Sequence, residues 1–386
     1  MKITAITPYL VNVSEKTNWF FIKVDTDESL SGLGEATLSG GWEQLQLACV
    51  ARLSEKIVGK TPTDAMPYLG VYPQSAGGLA YNSILSAVEM ALIDIAARSQ
   101  NVPIYAMLGT PQRNKMALYA NVNRMTENRT PAGFAASAKK RVEEGYRAVK
   151  LAPFDGVHWE DLEKKNVRKK LQNGIDCVLA CRDAVGHDVK VMIDCHWRFD
   201  EKTSCHILRE LESAHLFWAE CLVSERADFY PALQRVRRFA EERGVLLAGA
   251  ERQVGAWGFE PIAKGKLLDV VMPDIKYAGG YSAMLRIAER VSRSDMLFSP
   301  HNPTGPVCTL GSLHVCALVP NFLILERQSE GSVYDDIIVG KHPLFQDGQY
   351  GLPVGPGLGI ELDLGAVKER PYRYPVKEAL SDPRLG

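Results

Sequence analysis

Apolar and polar positions divide the chain into two differently patterned parts. Residues 1–35 contain alternating runs that predict β-strands, and residues 41–59 and 82–99 repeat apolar positions at helical spacing. Together these elements predict an α+β domain over residues 1–114, which is an ordinary domain size.

From residue 115 onward, short apolar or β-branched runs alternate with helical stretches, as in parallel sheets built from βα units. The eight runs are residues 117–122, 148–152, 189–193, 216–219, 246–249, 270–272, 296–299 and 322–325. Eight parallel strands predict a (β/α)8 barrel over residues 115–335. Residues 336–386 begin rich in glycine and proline and are expected to pack back on the first domain. The predicted fold class is therefore α/β, a modified TIM barrel with an α+β capping domain formed by the N-terminal part and the C-terminal tail.

Composition narrows the function. The 386 residues carry 45 Lys and Arg against 46 Asp and Glu, with no basic stripe, so nucleic acid is not an expected partner. No apolar run predicts a membrane span, and the N-terminus lacks the pattern of a signal peptide. The eight cysteines are scattered without a CxxC pair, which is typical of buried free thiols in a reducing compartment. A cytoplasmic enzyme is expected.

Polar residues mark seven of the eight runs. Lys150 lies within its run, and the others come one or two positions after theirs: Asp194, Glu220, Glu251, Asp274, His301 and Glu326. From Asp194 onward they are 26, 31, 23, 27 and 25 positions apart, about one βα unit each. Successive strands would therefore place them at one mouth of the barrel, the C-terminal face where barrel enzymes hold their catalytic groups.

Three of these carboxylates follow consecutive strands. Asp194, Glu220 and Glu251 would repel one another at one point unless a cation lay between them. Oxygen ligands favour a hard ion, so the pattern predicts a Mg2+ site.

Two histidines have carboxylate neighbours in this pattern. Asp274 and His301 end neighbouring strands, and a carboxylate bonded to one imidazole nitrogen leaves the other free as a base. His196 lies two positions after Asp194, so strand alternation predicts that both side chains face the mouth.

The motifs at these strand ends carry a family resemblance. They are Val149-Lys150-Leu151, Ile193-Asp194-Cys195-His196-Trp197-Arg198, Trp218-Ala219-Glu220, Ala250-Glu251-Arg252, Pro273-Asp274, Ser299-Pro300-His301-Asn302-Pro303, Leu325-Glu326-Arg327-Gln328-Ser329 and Pro356-Gly357-Leu358-Gly359. Over almost the whole chain the sequence resembles the mandelate racemase subgroup of the enolase superfamily. Within that subgroup it is most similar to the galactonate dehydratases and related acid-sugar dehydratases.

The resemblance implies a set of roles. Asp194, Glu220 and Glu251 would hold Mg2+, and His301 with Asp274 would remove the proton α to a carboxylate.

Two further residues would complete the reaction that the resemblance implies. Glu326 would donate to, or hydrogen-bond, the substrate carboxylate as it becomes an enediolate, and His196 would protonate the departing 3-hydroxyl. The implied activity is dehydration of a sugar acid to a 2-keto-3-deoxy acid.

The sequence departs from the family pattern on the second barrel strand. Where many relatives have a second lysine for the opposite face of the substrate, this chain has Ala152, which leaves Lys150 to neutralise the substrate carboxylate. A racemase or epimerase of an α-hydroxy acid is the first alternative, and Ala152 argues against it. A barrel that binds a ligand without chemistry is the second alternative.

The substrate contacts are the least constrained part. Arg198 is a candidate contact to the polyol, and Asn18, Trp19 and residues 70–81 are candidates in the capping domain. A homo-oligomer, from dimer to octamer, is expected from the resemblance.

Overall fold

The computed structural model describes residues 1–15, 17–38, 40–328, 333–340 and 343–374, with backbone alone for residues 74–77. Ser329 of the Glu326 motif and residues 375–386 of the C-terminal segment lie outside the described residues.

The N-terminal part is an antiparallel sheet covered by helices. Strands β1 (Ile3–Ser14), β2 (Thr17–Thr26) and β3 (Ser31–Glu35) pair in that order. The helices are α1 (Glu43–Ile57), α2 (Pro62–Ala65), α3 (Gln74–Ser99) and α4 (Ile104–Leu108). The long helix α3 lies directly on β3, because a Cβ at Gly34 would come within 1.8 Å of the Ala87 carbonyl oxygen. Glycine at this position permits the close approach of helix and sheet.

A closed barrel of parallel strands follows. Within the described residues its eight strands are β4 (Lys115–Asn121), β5 (Ala148–Leu151), β6 (Lys190–Asp194), β7 (Trp218–Glu220), β8 (Leu246–Gly249), β9 (Val270–Val271), β10 (Leu297–Phe298) and β11 (Leu325–Gln328). Each pairs in parallel with the next from β4 to β10, and β11 pairs with β4. A single bridge between Phe298 and Phe322 closes the seam between β10 and the segment entering β11.

Helices surround the barrel. They are α5 (Pro131–Glu143), α6 (Lys165–Val185), α7 (Glu201–Glu210), α8 (Tyr230–Glu241), α9 (Gly255–Gly258), α10 (Glu260–Gly265), α11 (Ile275–Ala278), α12 (Gly280–Ser292) and α13 (Pro306–Leu318). The barrel interior is filled by a buried cluster that includes Tyr119, Met192, Trp218 and Met272. Because side chains fill the barrel, its interior is a packed core and not a pore.

The C-terminal segment contacts both parts of the chain. It contains α14 (Val333–Asp336), β12 (Ile338–Gly340), β13 (Phe345–Gln346), β14 (Gln349–Gly351), β15 (Ile360–Leu362) and α15 (Leu364–Lys368). Strand β14 pairs antiparallel with β4, while the Leu358 amide donates to Asp94 of α3 at 2.7 Å.

The prediction of an α/β barrel with an α+β cap is confirmed. The eighth strand begins at Leu325, the last residue of the predicted run 322–325, because residues 319–322 form a turn before it. Glu326 therefore lies inside a strand, and Asp194 and Glu220 are the last residues of theirs. Among the described residues, one helical stretch, Gly78–Ser99, is long and apolar enough by composition to cross a membrane, but 78% of its 18-residue apolar window is buried inside the protein.

Candidate active site

A cavity of about 610 Å³ opens at the C-terminal ends of the barrel strands. The barrel lines it with Asn121, Asn123, Arg124, Lys150, Asp194, His196, Glu251, Arg252, Tyr277, His301, Pro303, Thr304, Glu326 and Gln328. The N-terminal part covers it with Thr37, Leu38, Gly40, Trp42, Leu45, Gly78, Leu79 and Ala80. Five of the seven residues predicted from the strand ends therefore line one cavity. The other two, Glu220 and Asp274, contact the lining residues Lys150 and His301.

Two of the predicted metal ligands lie side by side. Possible ligand atoms of Asp194, Glu220 and Cys221 lie within 4.8 Å of one another, and all three residues are buried. Glu251 lines the same cavity, with its Oε2 3.4 Å from His301 Nε2. Burial raises the pKa of Glu220 well above its usual range, and the charges of Asp194, Glu326 and Glu251 add to that effect. Carboxylates crowded in this way favour a bound cation.

Lys150 is held by two of these carboxylates. Its Nζ lies 2.9 and 3.0 Å from the two Glu220 oxygens and 3.1 Å from Glu326 Oε1, so three protons meet three acceptors. Burial opposes its charge, but Glu220 and Glu326 outweigh burial and raise the pKa of Lys150. In this geometry the Lys150 ammonium contacts protein carboxylates, and its contact with the substrate carboxylate stays a prediction.

Glu326 is an acceptor on both oxygens. Oε1 accepts from Asn121 Nδ2 at 2.7 Å and Oε2 accepts from the Asn302 amide at 2.8 Å. Burial favours its neutral form, but Lys150 and then His301 outweigh burial and lower the pKa of Glu326. An ionised Glu326 can accept a hydrogen bond but has no proton to donate.

His301 and Asp274 form the expected pair. His301 Nδ1 lies 2.8 Å from Asp274 Oδ2, and the imidazole is 13% exposed. Lys276, which the sequence did not indicate, is fully buried and lies 2.5 Å from the same Asp274 oxygen. A carboxylate held in this way fixes the imidazole tautomer and leaves Nε2 toward the cavity.

His196 reaches Asp194 through a turn rather than through strand alternation. Strand β6 ends at Asp194, and His196 has a left-handed backbone with φ 47°. The Asp194 carboxylate accepts from the His196 amide at 3.0 Å and lies 2.9 Å from His196 Nε2. The predicted proximity is present, but its cause is the turn.

Residues other than glycine adopt a left-handed backbone conformation next to two of the predicted metal ligands. Cys221 follows Glu220 with φ 50°, and Ala250 precedes Glu251 with φ 74°. Such residues carry strain that the surroundings must offset. The Ala250 amide donates to buried Glu225 at 2.8 Å, and burial raises the pKa of Glu225 to about 7.

Three predicted substrate contacts lie elsewhere. Trp19 is buried edge-on against Phe21 and Tyr334, and Asn18 hydrogen-bonds Asn12 and the Arg373 carbonyl. Both side chains therefore contact the C-terminal segment and join it to the N-terminal sheet. Arg198 donates to the Val157 carbonyl at 3.2 Å. It is not one of the described residues that line the cavity.

The cavity residues that sequence reasoning missed come from two places. Arg124 and Asn123 follow β4, whose end carried no singled-out residue, and Arg252 follows Glu251 and stacks 4.7 Å from the Trp197 ring. The cap residues Leu38, Trp42 and Leu45 lie in a loop and the start of α1, where no pattern marks them. Of these residues, only Arg252 could have been predicted to lie at the site, because it directly follows the predicted metal ligand Glu251.

Comparison with known proteins identifies the family. The enolase C-terminal domain-like model matches residues 133–366, and the mandelate racemase/muconate lactonizing enzyme N-terminal domain model matches residues 5–109. The chain belongs to the mandelate racemase subgroup of the enolase superfamily. D-galactonate dehydratase of Pectobacterium atrosepticum is 28% identical, covering 97% of this chain and 96% of the relative. D-galactonate dehydratase of Xanthomonas oryzae pv. oryzae (strain PXO99A) is 30% identical, covering 97% of each chain.

Solved structures agree with this membership. A member of the enolase superfamily from Salmonella Typhimurium is 27% identical with a TM-score of 0.84, covering 96% of this chain and 98% of that one. A mandelate racemase/muconate lactonizing enzyme from Jannaschia sp. CCS1 is 23% identical with a TM-score of 0.83, covering 97% and 98%. The second likeness supports the fold alone.

Enolase superfamily members generally use Mg2+. In this chain the residues fit such an ion, since Asp194 and Glu251 line one cavity and buried Glu220 lies beside Asp194. Burial, with the charges of the neighbouring carboxylates added to it, raises the pKa of Glu220. Carboxylate oxygens are suitable ligands for Mg2+.

Proposed function

We propose that the protein dehydrates a sugar acid to a 2-keto-3-deoxy acid, with Mg2+ held by Asp194, Glu220 and Glu251. The observation that carries the proposal is the His301–Asp274 pair at 2.8 Å, whose imidazole lines the same cavity as Asp194 and Glu251. The relatives named D-galactonate dehydratase support the reaction class and leave the sugar open.

The first step is proton removal from the α-carbon. The Asp274 carboxylate accepts from Nδ1–H of His301, so the lone pair of Nε2 takes the α-proton as the C–H electrons pass into an enediolate. Magnesium, when bound, supplies a Lewis acid that stabilises this charge. Lys150 holds the carboxylates of Glu220 and Glu326 in place through its ammonium group.

The second step is loss of the 3-hydroxyl. As the carboxylate re-forms at carbon 1, the electrons of the C1=C2 bond form a C2=C3 double bond and the bond from carbon 3 to its oxygen breaks. A proton from His196 lets that oxygen leave as water. The resulting enol gains a proton at carbon 3, loses the proton of its carbon 2 hydroxyl and becomes the 2-keto-3-deoxy acid. His196 lines the cavity with a side chain 37% exposed, so it can reach a substrate.

Racemisation is the alternative function, and it needs a base on the opposite face of carbon 2. Ala152 offers no such group, and the three protons of Lys150 are taken up by Glu220 and Glu326. A non-catalytic role does not explain why His301 is paired with a buried carboxylate, Asp274, beside the cavity.

Exchange of the α-hydrogen in deuterated water tests the base. A stereochemically complete library of sugar acids is first screened for 2-keto acid formation to identify the substrate. We expect His301→Asn to abolish both turnover and exchange while Mg2+ binding, measured by calorimetry, stays within about threefold, because exchange requires the general base. The exposed residue His187 supplies the control His187→Asn, which should match the wild type. Retained exchange in His301→Asn would move the base to another residue.

A further inference from the structure

The N-terminal part reaches into the barrel through a buried carboxylate. Glu35, the last residue of β3, is fully buried. Its Oε1 accepts from the Gly305 amide at 2.8 Å and its Oε2 accepts from the Cys308 amide at 2.9 Å. These amides lie at the start of α13, where unpaired N–H groups and the helix dipole favour a negative charge.

The segment just before this helix carries the proposed base. His301 lies four residues before Gly305, and the intervening Asn302 donates from its amide to Glu326 at 2.8 Å. The His301 loop is therefore fixed by Glu326 at one end and by Glu35 at the other. The approach of Glu35 is close, since a Cβ at Gly305 would lie 2.9 Å from Glu35 Oε1.

The same carboxylate also holds the cap wall of the cavity. Thr37 donates its hydroxyl to Glu35 Oε1 at 2.8 Å and accepts from the Phe20 amide at 3.0 Å. Thr37 and Leu38 line the cavity above the barrel. One buried side chain thus bonds both to the wall that covers the substrate and to the loop that carries the base.

We propose that Glu35 is a positioning residue that fixes the His301 loop relative to the cap wall. This rests on the proposed role of His301. Because Glu35 touches neither the metal ligands nor the cavity, its loss should slow the chemical step and leave substrate and metal affinity nearly unchanged.

Glu89 of α3 supplies a matched control. It is also a buried carboxylate of the N-terminal part, and it accepts from the Tyr281 and Ser282 amides at 2.9 and 3.0 Å at the start of α12. It caps a neighbouring barrel helix in the same way, but that helix does not follow the His301 loop. Loss of either cap should reduce stability to a similar degree.

The test compares Glu35→Ala and Glu35→Gln with Glu89→Ala and Glu89→Gln. We expect kcat and the α-hydrogen exchange rate of Glu35→Ala to fall by about tenfold to a hundredfold, with KM and Mg2+ affinity within about threefold, since small misplacement of a catalytic group costs that much. Glu35→Gln, which keeps one acceptor oxygen, should lie between Glu35→Ala and the wild type. The Glu89 variants should keep kcat within about threefold. A wild-type kcat in Glu35→Ala, or an equal loss in Glu89→Ala, would overturn the proposal.

Two measurements keep the test decisive. If Glu35→Ala does not fold, Gly305→Ala serves instead, because its added methyl group pushes the helix start away from Glu35 and should give the same kinetic pattern. Amide hydrogen exchange needs no activity, and protection of the amides of residues 304, 305, 307 and 308 should fall in Glu35→Ala and not in Glu89→Ala. An inactive wild type would refute the proposed function, whereas unchanged protection would refute the positioning role itself.

Discussion

Replacing Lys150 by methionine tests how charge is balanced beneath the proposed metal site. The Lys150 side chain is 2% exposed and meets Glu220 at 2.9 and 3.0 Å and Glu326 at 3.1 Å. Methionine has a similar volume but no charge, so two buried carboxylates would lose their cation. Removing one partner from a buried ion pair costs about 3–5 kcal/mol, and we expect Lys150→Met to lower the unfolding free energy of the metal-free protein by that amount.

Magnesium should reduce this loss. An ion bound at Asp194 and Glu220 restores positive charge beside the orphaned carboxylates, so Mg2+ should stabilise Lys150→Met more than it stabilises the wild type. Urea unfolding in EDTA and in saturating Mg2+ measures both quantities. Lys276→Met is the control, because Lys276 is equally buried but pairs with Asp274. Its loss of stability should be the same in both conditions.

Two outcomes would refute this reasoning. A loss below about 1 kcal/mol in EDTA would mean that Glu220 and Glu326 share a proton or bind water without Lys150. A loss that does not change with Mg2+ would mean that the ion does not bind next to Glu220.

The remaining predictions concern two histidines. We expect His196→Asn to keep α-hydrogen exchange, with configuration at carbon 2 retained, while dehydration falls by about 10²–10⁴-fold; unchanged dehydration would remove His196 from the mechanism. Burial lowers the pKa of His314 to about 3, so the unfolded chain takes up its proton first as the pH falls. The stability linked to His314 is complete above pH 6.5 and is lost toward pH 3, at about 1.4 kcal/mol per pH unit. Urea unfolding of His314→Gln between pH 6.5 and 4 should show this slope reduced, and the half-exposed His206 supplies the control His206→Gln.

The barrel and the grouping of polar residues at its mouth were predictable because the βα unit repeats along the chain. One polar residue at each successive strand end is visible at regular spacing, and parallel strands bring such residues to one mouth. Asp194 and Glu220 illustrate this, since each is the last residue of its strand and their carboxylates are neighbours.

Contacts that depend on packing were not predictable. Trp19 stands in an alternating strand, and only the later chain, where Tyr334 packs edge-on against it, shows that it faces a core instead of a substrate. Lys150 could be placed at the mouth, but its partners, 70 and 176 positions away, decide that it supports carboxylates. Strand alternation also could not foresee the left-handed turn at His196, because the strand ends two residues earlier.

Pairing is uneven around the barrel. Strands β5 and β6 pair over four positions, β9 and β10 over two, and β10 meets the segment before β11 at the single Phe298–Phe322 bridge. Regions with few backbone contacts open at lower free energy than the whole protein. On warming, the seam beside the His301 loop should therefore loosen while the strands that bear Asp194 and Glu220 remain paired. Heat inactivation of the enzyme would then precede both metal release and global melting, so its working temperature limit would be set by this seam.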